Sequence, residues 1–196
     1  MNFEQYRHYY RGCFFETFKR PAKAIEAYRL SLHYEPRFAK AAACIAHLYA
    51  MQEQFDEAER YFLEAVRLLP TQAEMHFNLG YVLDRQGKYE QAIASFSEAV
   101  RLKKTVDRAW YGMGLAHAAL GRHEEAAKAL EEAARLQPMH SHAWYALGMA
   151  SHRSHNPDRV REIVIYLHRI DPIMCRRLIQ EADQSDLAYL VKDLAV

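Results

Sequence analysis

Apolar residues recur along this chain at alternating spacings of three and four, the pattern of a helix with one buried face. Between residues 73 and 102 the pattern runs in two stretches, about 73–86 and 89–102, parted by the polar run Gln86, Gly87, Lys88. A glycine just past the end of such a stretch predicts a helix stop and a turn. Gly87 and Gly121 hold that place in two of the stretches. Pro21 and Pro157 are expected to take the turn over near the two ends of the chain, each in the first turn of the next helix, where a missing N–H is harmless. Asn156, one residue before Pro157, is an expected N-cap. The pattern predicts an all-α chain of helical hairpins.

The hairpins repeat. Prolines at 36, 70, 138 and 172 share a spacing of 34, with Lys104 in the vacant place. Small residues keep the same register at Gly12, Ala46, Gly80, Gly114 and Gly148, and again at Ala24, Ala58, Ala92 and Ala126, ending in Val160. Large residues do so at Tyr28, Phe62, Phe96, Leu130 and Val164. A glycine inside a helix costs about 0.5–1 kcal/mol relative to alanine, so Gly80 needs a cause. The expected cause is that its column lies where the two helices of a hairpin cross, and a missing Cβ lets the backbones approach. A period of this length signals a solenoid.

Trp144, Tyr145, Ala146, Leu147 and Gly148 reproduce the opening of one such repeat motif, and Trp110 to Gly114 come close. Tyr89, Ala92, Phe96 and Ala99 supply its second helix. On these residues the chain resembles the tetratricopeptide repeat (TPR) family over residues 5 to 172. The resemblance implies an all-α, right-handed superhelix, an α-solenoid of helix-turn-helix repeats. It implies one domain, 1–196, with repeats at about 5–38, 39–72, 73–106, 107–140 and 141–174. Repeats one and five depart most from the motif: Arg11 stands for the usual leucine, and Val160 and Leu167 for alanines. Segments at about 173–182 and 186–194 are expected to form C-terminal capping helices, with Leu178, Ile179, Leu187, Leu190 and Val191 covering the last repeat. Glu181, Asp183, Asp186 and Asp193 are expected to keep the outer face of that cap soluble.

In the family, the concave surface of first helices holds a peptide segment of a partner protein. Carried over by register, the groove residues are Tyr9, Lys40, His47, Phe77, Asn78, Tyr81, Asp84, Arg85, Arg108, Tyr111 and Tyr145. Tyrosine suits such a surface, having large area, few rotors and a polar tip. Asn78 is expected to hydrogen-bond a ligand backbone, Arg108 and Arg85 to meet an acidic side chain, and Asp84 a basic one. The family's carboxylate clamp for chaperone tails is not matched: its places hold Ala43, His47, Asn78, Arg108 and Gly112, of which only Asn78 and Arg108 fit.

The resemblance therefore implies a non-catalytic adaptor, scaffold or co-chaperone. The alternatives are a chaperone or assembly factor of a secretion or pilus system, as in many compact bacterial proteins of this kind, or a substrate-recruiting subunit of an enzyme. No nucleophile elbow, phosphate loop or paired-carboxylate motif appears, and no catalytic, cofactor or metal residue is assigned. His140 and His142 lie at least ten residues from His152 and His155, about 15 Å along a helix, which is too far for shared coordination.

Charge and composition narrow the partner. Net charge is +1 with half the residues apolar, which disfavours a nucleic-acid binder. Six arginines between 153 and 177 face Asp158, Glu162 and Asp171, read as a solvated helix face. No apolar run approaches membrane-spanning length, and the first residues lack the apolar core of a signal peptide. Cys13, Cys44 and Cys175 form no disulfide framework, so a cytoplasmic setting is expected. The first helix carries Phe3, Tyr6, Tyr9, Tyr10, Phe14, Phe15 and Phe18, more aromatics than one inward face hides. Two readings stay open: a self-association surface through Phe3, Tyr6 and Tyr10, or Phe14, Phe15 and Phe18 packed on the second helix with the tyrosines edging the groove.

Overall fold

A computed structural model describes residues 3–192, and among them the regular structure is entirely helical. In order the α-helices are α1 Glu4–Thr17, α2 Pro21–Tyr34, α3 Ala39–Met51, α4 Phe55–Leu68, α5 Ala73–Arg85, α6 Tyr89–Leu102, α7 Asp107–Ala119, α8 His123–Leu136, α9 Ser141–Arg153, α10 Pro157–Ile170 and α11 Pro172–Glu181. A 3₁₀ helix, Ser185–Val191, follows. The chain divides into two compact units, Met1–Leu102 and Lys103–Val196, and the boundary falls between the third and fourth hairpins. The first unit holds the hairpins α1–α2, α3–α4 and α5–α6. The second holds α7–α8 and α9–α10, with α11 and the 3₁₀ helix packed after them.

Within a hairpin the glycine column does what its position requires. A Cβ placed on Gly12 would lie 2.4 Å from the Tyr28 ring, on Gly80 2.7 Å from the Phe96 ring, and on Gly114 2.5 Å from Leu130 Cγ. Real Cβ atoms do not approach that closely, so close contact with the large residue offsets the poor helix propensity. Gly148 differs. The residue matching Phe96 and Leu130 is the shorter Val164, and it is Leu178 of α11 that comes within 2.5 Å of a Cβ on Gly148. The cap thus enters the core of the last hairpin. Cys175, Leu178, Ile179, Leu187 and Val191 are buried with Leu147, Val164 and Leu167, and Leu190 packs beside them. The second capping segment is 3₁₀ and not α-helical, and Asp193 lies outside the described residues.

The turns correct one expectation. Gly87 and Gly121 do adopt positive φ, 74° and 75°, but proline does not replace them elsewhere. Lys19, Glu53 and His155, in the same column of the repeat, take φ of 53°, 58° and 57°. The turn is one left-handed residue throughout, and Pro21 and Pro157 simply begin the helix that follows. A side chain in that conformation is strained, whereas glycine is not. Glu53→Gly is therefore expected to raise stability by about 1 kcal/mol and Gly87→Ala to lower it by about as much, read from urea midpoints. Nothing lies within 4 Å of a Cβ on Gly87, so the effect there is one of backbone alone.

A further periodic bond ties the third, fourth and fifth hairpins to the loop before each. His76 Nε2 meets the Pro70 carbonyl at 2.9 Å, Trp110 Nε1–H donates to the Lys104 carbonyl at 2.9 Å, and Trp144 Nε1–H to the Pro138 carbonyl at 2.8 Å. Two helices gain side-chain caps: Asn156 Oδ1 accepts from the Arg159 N–H, as expected, and Asp171 Oδ1 from the Met174 N–H at 3.0 Å.

Candidate functional site

In the first unit the groove columns come from α1, α3 and α5. Tyr9 is half-buried, its ring 5.2 Å from Phe38 and 5.6 Å from Tyr28. Burial, with the thiols of Cys44 and Cys13, pushes its phenol well above the usual range. Behind it the Tyr28 hydroxyl donates to Glu16 Oε2 at 2.8 Å and reaches Cys13 Sγ at 3.4 Å. Tyr9 is thus wedged into the packing of the first hairpin, with only part of its surface left to a ligand. Lys40 and His47 are exposed. Phe77 is half-buried, its ring 6.1 Å from Phe96.

Three residues of α5 divide the polar work. Asn78 is half-buried, and its amide makes no hydrogen bond among the described residues. Asp84 is half-buried too; burial raises its carboxyl above the ordinary carboxylate range, and Arg85 offsets part of that. Arg85 is already held: its guanidinium donates to the Tyr81 hydroxyl at 3.1 Å, pairs with Glu53 at 3.5 Å and lies 5.0 Å from the centre of the Phe55 ring. Tyr81 stays exposed beside it. An amide without a hydrogen bond, and a carboxylate that feels only the charge of Arg85, are therefore presented next to a fixed Arg–Tyr pair.

In the second unit Arg108 is exposed near the start of α7. Tyr111 is half-buried, its ring 5.1 Å from that of His140, and burial raises its phenol. Tyr145 is engaged by the cap. Its hydroxyl donates to Glu181, and the Arg177 guanidinium lies 4.8 Å from its ring centre. Arg177 in turn pairs with Glu181 at 2.7 Å, and that bond first, then the one from Tyr145, holds the Glu181 carboxyl below its usual range. Register alone did not reveal this clamp, because Arg177 and Glu181 lie outside the repeat.

Three of the six arginines in the stretch are held in ion pairs. Arg159 meets Glu131 and Glu162, each at 2.5 Å, Arg161 meets Asp186, and Arg177 meets Glu181. Two of the acidic residues expected to dress the cap are thus neutralised. On α1, Phe3, Tyr10, Phe14 and Phe18 are 80, 66, 57 and 60 % exposed. Of the three phenylalanines one reading packed on the second helix, Phe15 is half-buried with Lys23 of α2 5.9 Å from its ring centre, while Phe14 and Phe18 pack on each other, centroids 4.6 Å apart. Tyr6 is also exposed, though less so, with its ring edge-on to Phe38 at 5.4 Å. The most exposed residues of the strip are Phe3, Tyr10, Phe14 and Phe18.

Among the described residues no three His, Cys, Asp or Glu side chains gather as metal ligands, and no helix is long and apolar enough to cross a membrane. Family models described as tetratricopeptide repeat match residues 45–106 and 85–164. The chain belongs to the tetratricopeptide repeat family. Solved TPR structures resemble it along most of its length. The crystal structure of MamA protein is 20% identical, with a TM-score of 0.80, covering 100% of this chain and 99% of that one. YrrB, described as a TPR protein with an unusual peptide-binding site, is 21% identical with a TM-score of 0.79, covering 90% of each chain. PilF of Pseudomonas aeruginosa is 18% identical with a TM-score of 0.74, covering 95% of this chain and 87% of its own. At such identities the likeness is one of TPR fold. No curated protein sequence matches the chain.

Proposed function

We propose that the chain works as a single non-catalytic binding module, an adaptor or scaffold that holds a peptide segment of a partner protein on its groove columns. The observation that carries this reading is Asn78, a half-buried amide on a groove column with no hydrogen bond among the described residues. An amide so placed offers a donor and an acceptor to a peptide backbone. The peptide-binding site described for YrrB supports the same reading. The three cysteines are free thiols, in keeping with a proposed cytoplasmic setting.

Affinity capture from the native cell tests it. Asn78→Ala combined with Tyr111→Ala is expected to lose the partner while circular dichroism and melting stay near wild type. Retained capture by that folded variant sinks the reading. What is captured also separates the alternatives: export or pilus components favour an assembly factor, and a stoichiometric catalytic protein favours an enzyme subunit.

The exposed strip on α1 favours a second role, self-association. In every later repeat the column of Phe14 is buried, as Leu48, Val82, Ala116 and Ala150, so Phe14 occupies a packing position without its covering helix. Light scattering is expected to give a doubled mass that Tyr10→Glu plus Phe14→Glu returns to the monomer. A monomeric wild type removes the proposal.

A further inference from the structure

The second unit contains a concavity of about 230 Å³ lined by Leu115, Ala118, Leu130, Ala146, Met149 and Ala150. Its origin is legible by register. Ala118 stands in the column of Asp84, and Ala146 in that of Asn78. Two repeats earlier the same pair of places holds Ala50 and Asn78, so a methyl group in the second unit replaces the amide and leaves a hollow. The volume falls below the ~300 Å³ where sites for whole small-molecule ligands begin, and suits one large apolar side chain.

The charged residues lining the hollow set what lies beside that side chain. Glu181 lines it, but is neutralised by Arg177 at 2.7 Å and by the Tyr145 hydroxyl. Arg153 also lines it, two repeats after Arg85 in the same column. Arg85 is held by Tyr81 and Glu53. Arg153 is exposed and holds no hydrogen bond or ion pair among the described residues. The edge of the hollow thus presents a guanidinium that acts on Glu181 and Tyr145 only beyond hydrogen-bond reach, a donor free to match a carboxylate.

Resting on the groove reading above, we propose that this concavity takes a leucine, methionine or phenylalanine side chain of the partner peptide, and that Arg153 pairs with an aspartate or glutamate next to it in sequence. The recognised class is an acidic peptide with an apolar anchor. The hollow gives the anchor its burial, and the charge rejects a basic neighbour.

An array of immobilised nonapeptides tests this, with Leu, Met, Phe, Ala or Lys at the centre and Asp, Glu, Ser or Lys beside it. The wild-type chain is expected to retain apolar-centred, acid-flanked peptides about tenfold better than Ala-centred or Lys-flanked ones. Arg153→Glu, at an exposed position that leaves the core untouched, is expected to invert the flank preference towards Lys. Ala146→Leu fills the hollow and is expected to abolish the preference for an apolar centre, with circular dichroism confirming the fold. A flank preference that survives Arg153→Glu, or a wild type without preference, overturns the inference. If the Asn78→Ala, Tyr111→Ala variant still loses its cellular partner in either case, the groove reading stands and only the inference falls. An array that retains nothing, together with undiminished capture by that variant, removes both.

Discussion

Phe96→Ala is expected to lower the stability of the first unit by about 3–5 kcal/mol, the range for removing a buried aromatic ring. Phe96 is almost fully buried, and its ring lies against Gly80 on α5, with Phe77 alongside. Gly80 has no side chain to move into the space, so the hairpin cannot collapse around the hole and the cost falls towards the upper end. Domains are stable by only about 5–15 kcal/mol, so the urea midpoint shifts strongly. Leu63→Ala, at an exposed position on α4, is the control and is expected to change stability by less than about 0.5 kcal/mol. A Phe96→Ala shift no larger than the control's contradicts the packing described for the glycine column.

The second large effect belongs to the cap. Leu178→Asp is expected to cost about 4 kcal/mol or more, because it loses a buried leucine and puts a carboxylate into an apolar core without a partner. Leu178 is fully buried with Leu147, Val164 and Leu167, and fills the space over Gly148. Ile173→Asp, on the same helix but exposed, is expected to leave the urea transition where it was. Equal, small effects from both would mean that α11 rests on the last hairpin without entering its core.

How far the sequence could foretell this follows from which residues carry a periodic signal. Gly80, Phe96, Gly87 and Gly121 repeat in register, and each constrains the backbone, so hairpins, turns and helix bounds could be read from them. Lys19, Glu53 and His155 hold the same left-handed turn, but a non-glycine residue gives no sign of positive φ. The entry of Leu178 over Gly148 was hidden because α11 has no counterpart in the earlier repeats. At the candidate site, register located the columns but not the side chains' engagements. That Arg85 is spent on Tyr81 and Glu53, and that Tyr145 is tied to Glu181, depends on residues brought together by packing. The hollow beside Arg153 did have a signal, Ala146 where the column carries Asn78 two repeats earlier, but small residues read first as packing residues.

The indole bonds of the repeat have a spectroscopic consequence. Both tryptophans, Trp110 and Trp144, lie in the second unit, and each donates to a loop carbonyl that only the folded hairpin holds in place. The first unit contains tyrosine and phenylalanine but no tryptophan. Indole emission therefore watches Lys103–Val196 alone, while the far-ultraviolet helical signal sums both units. Without any added label, a single denaturation series carries one channel for the second unit and one for both, and an offset between them reports whether the two halves unfold together.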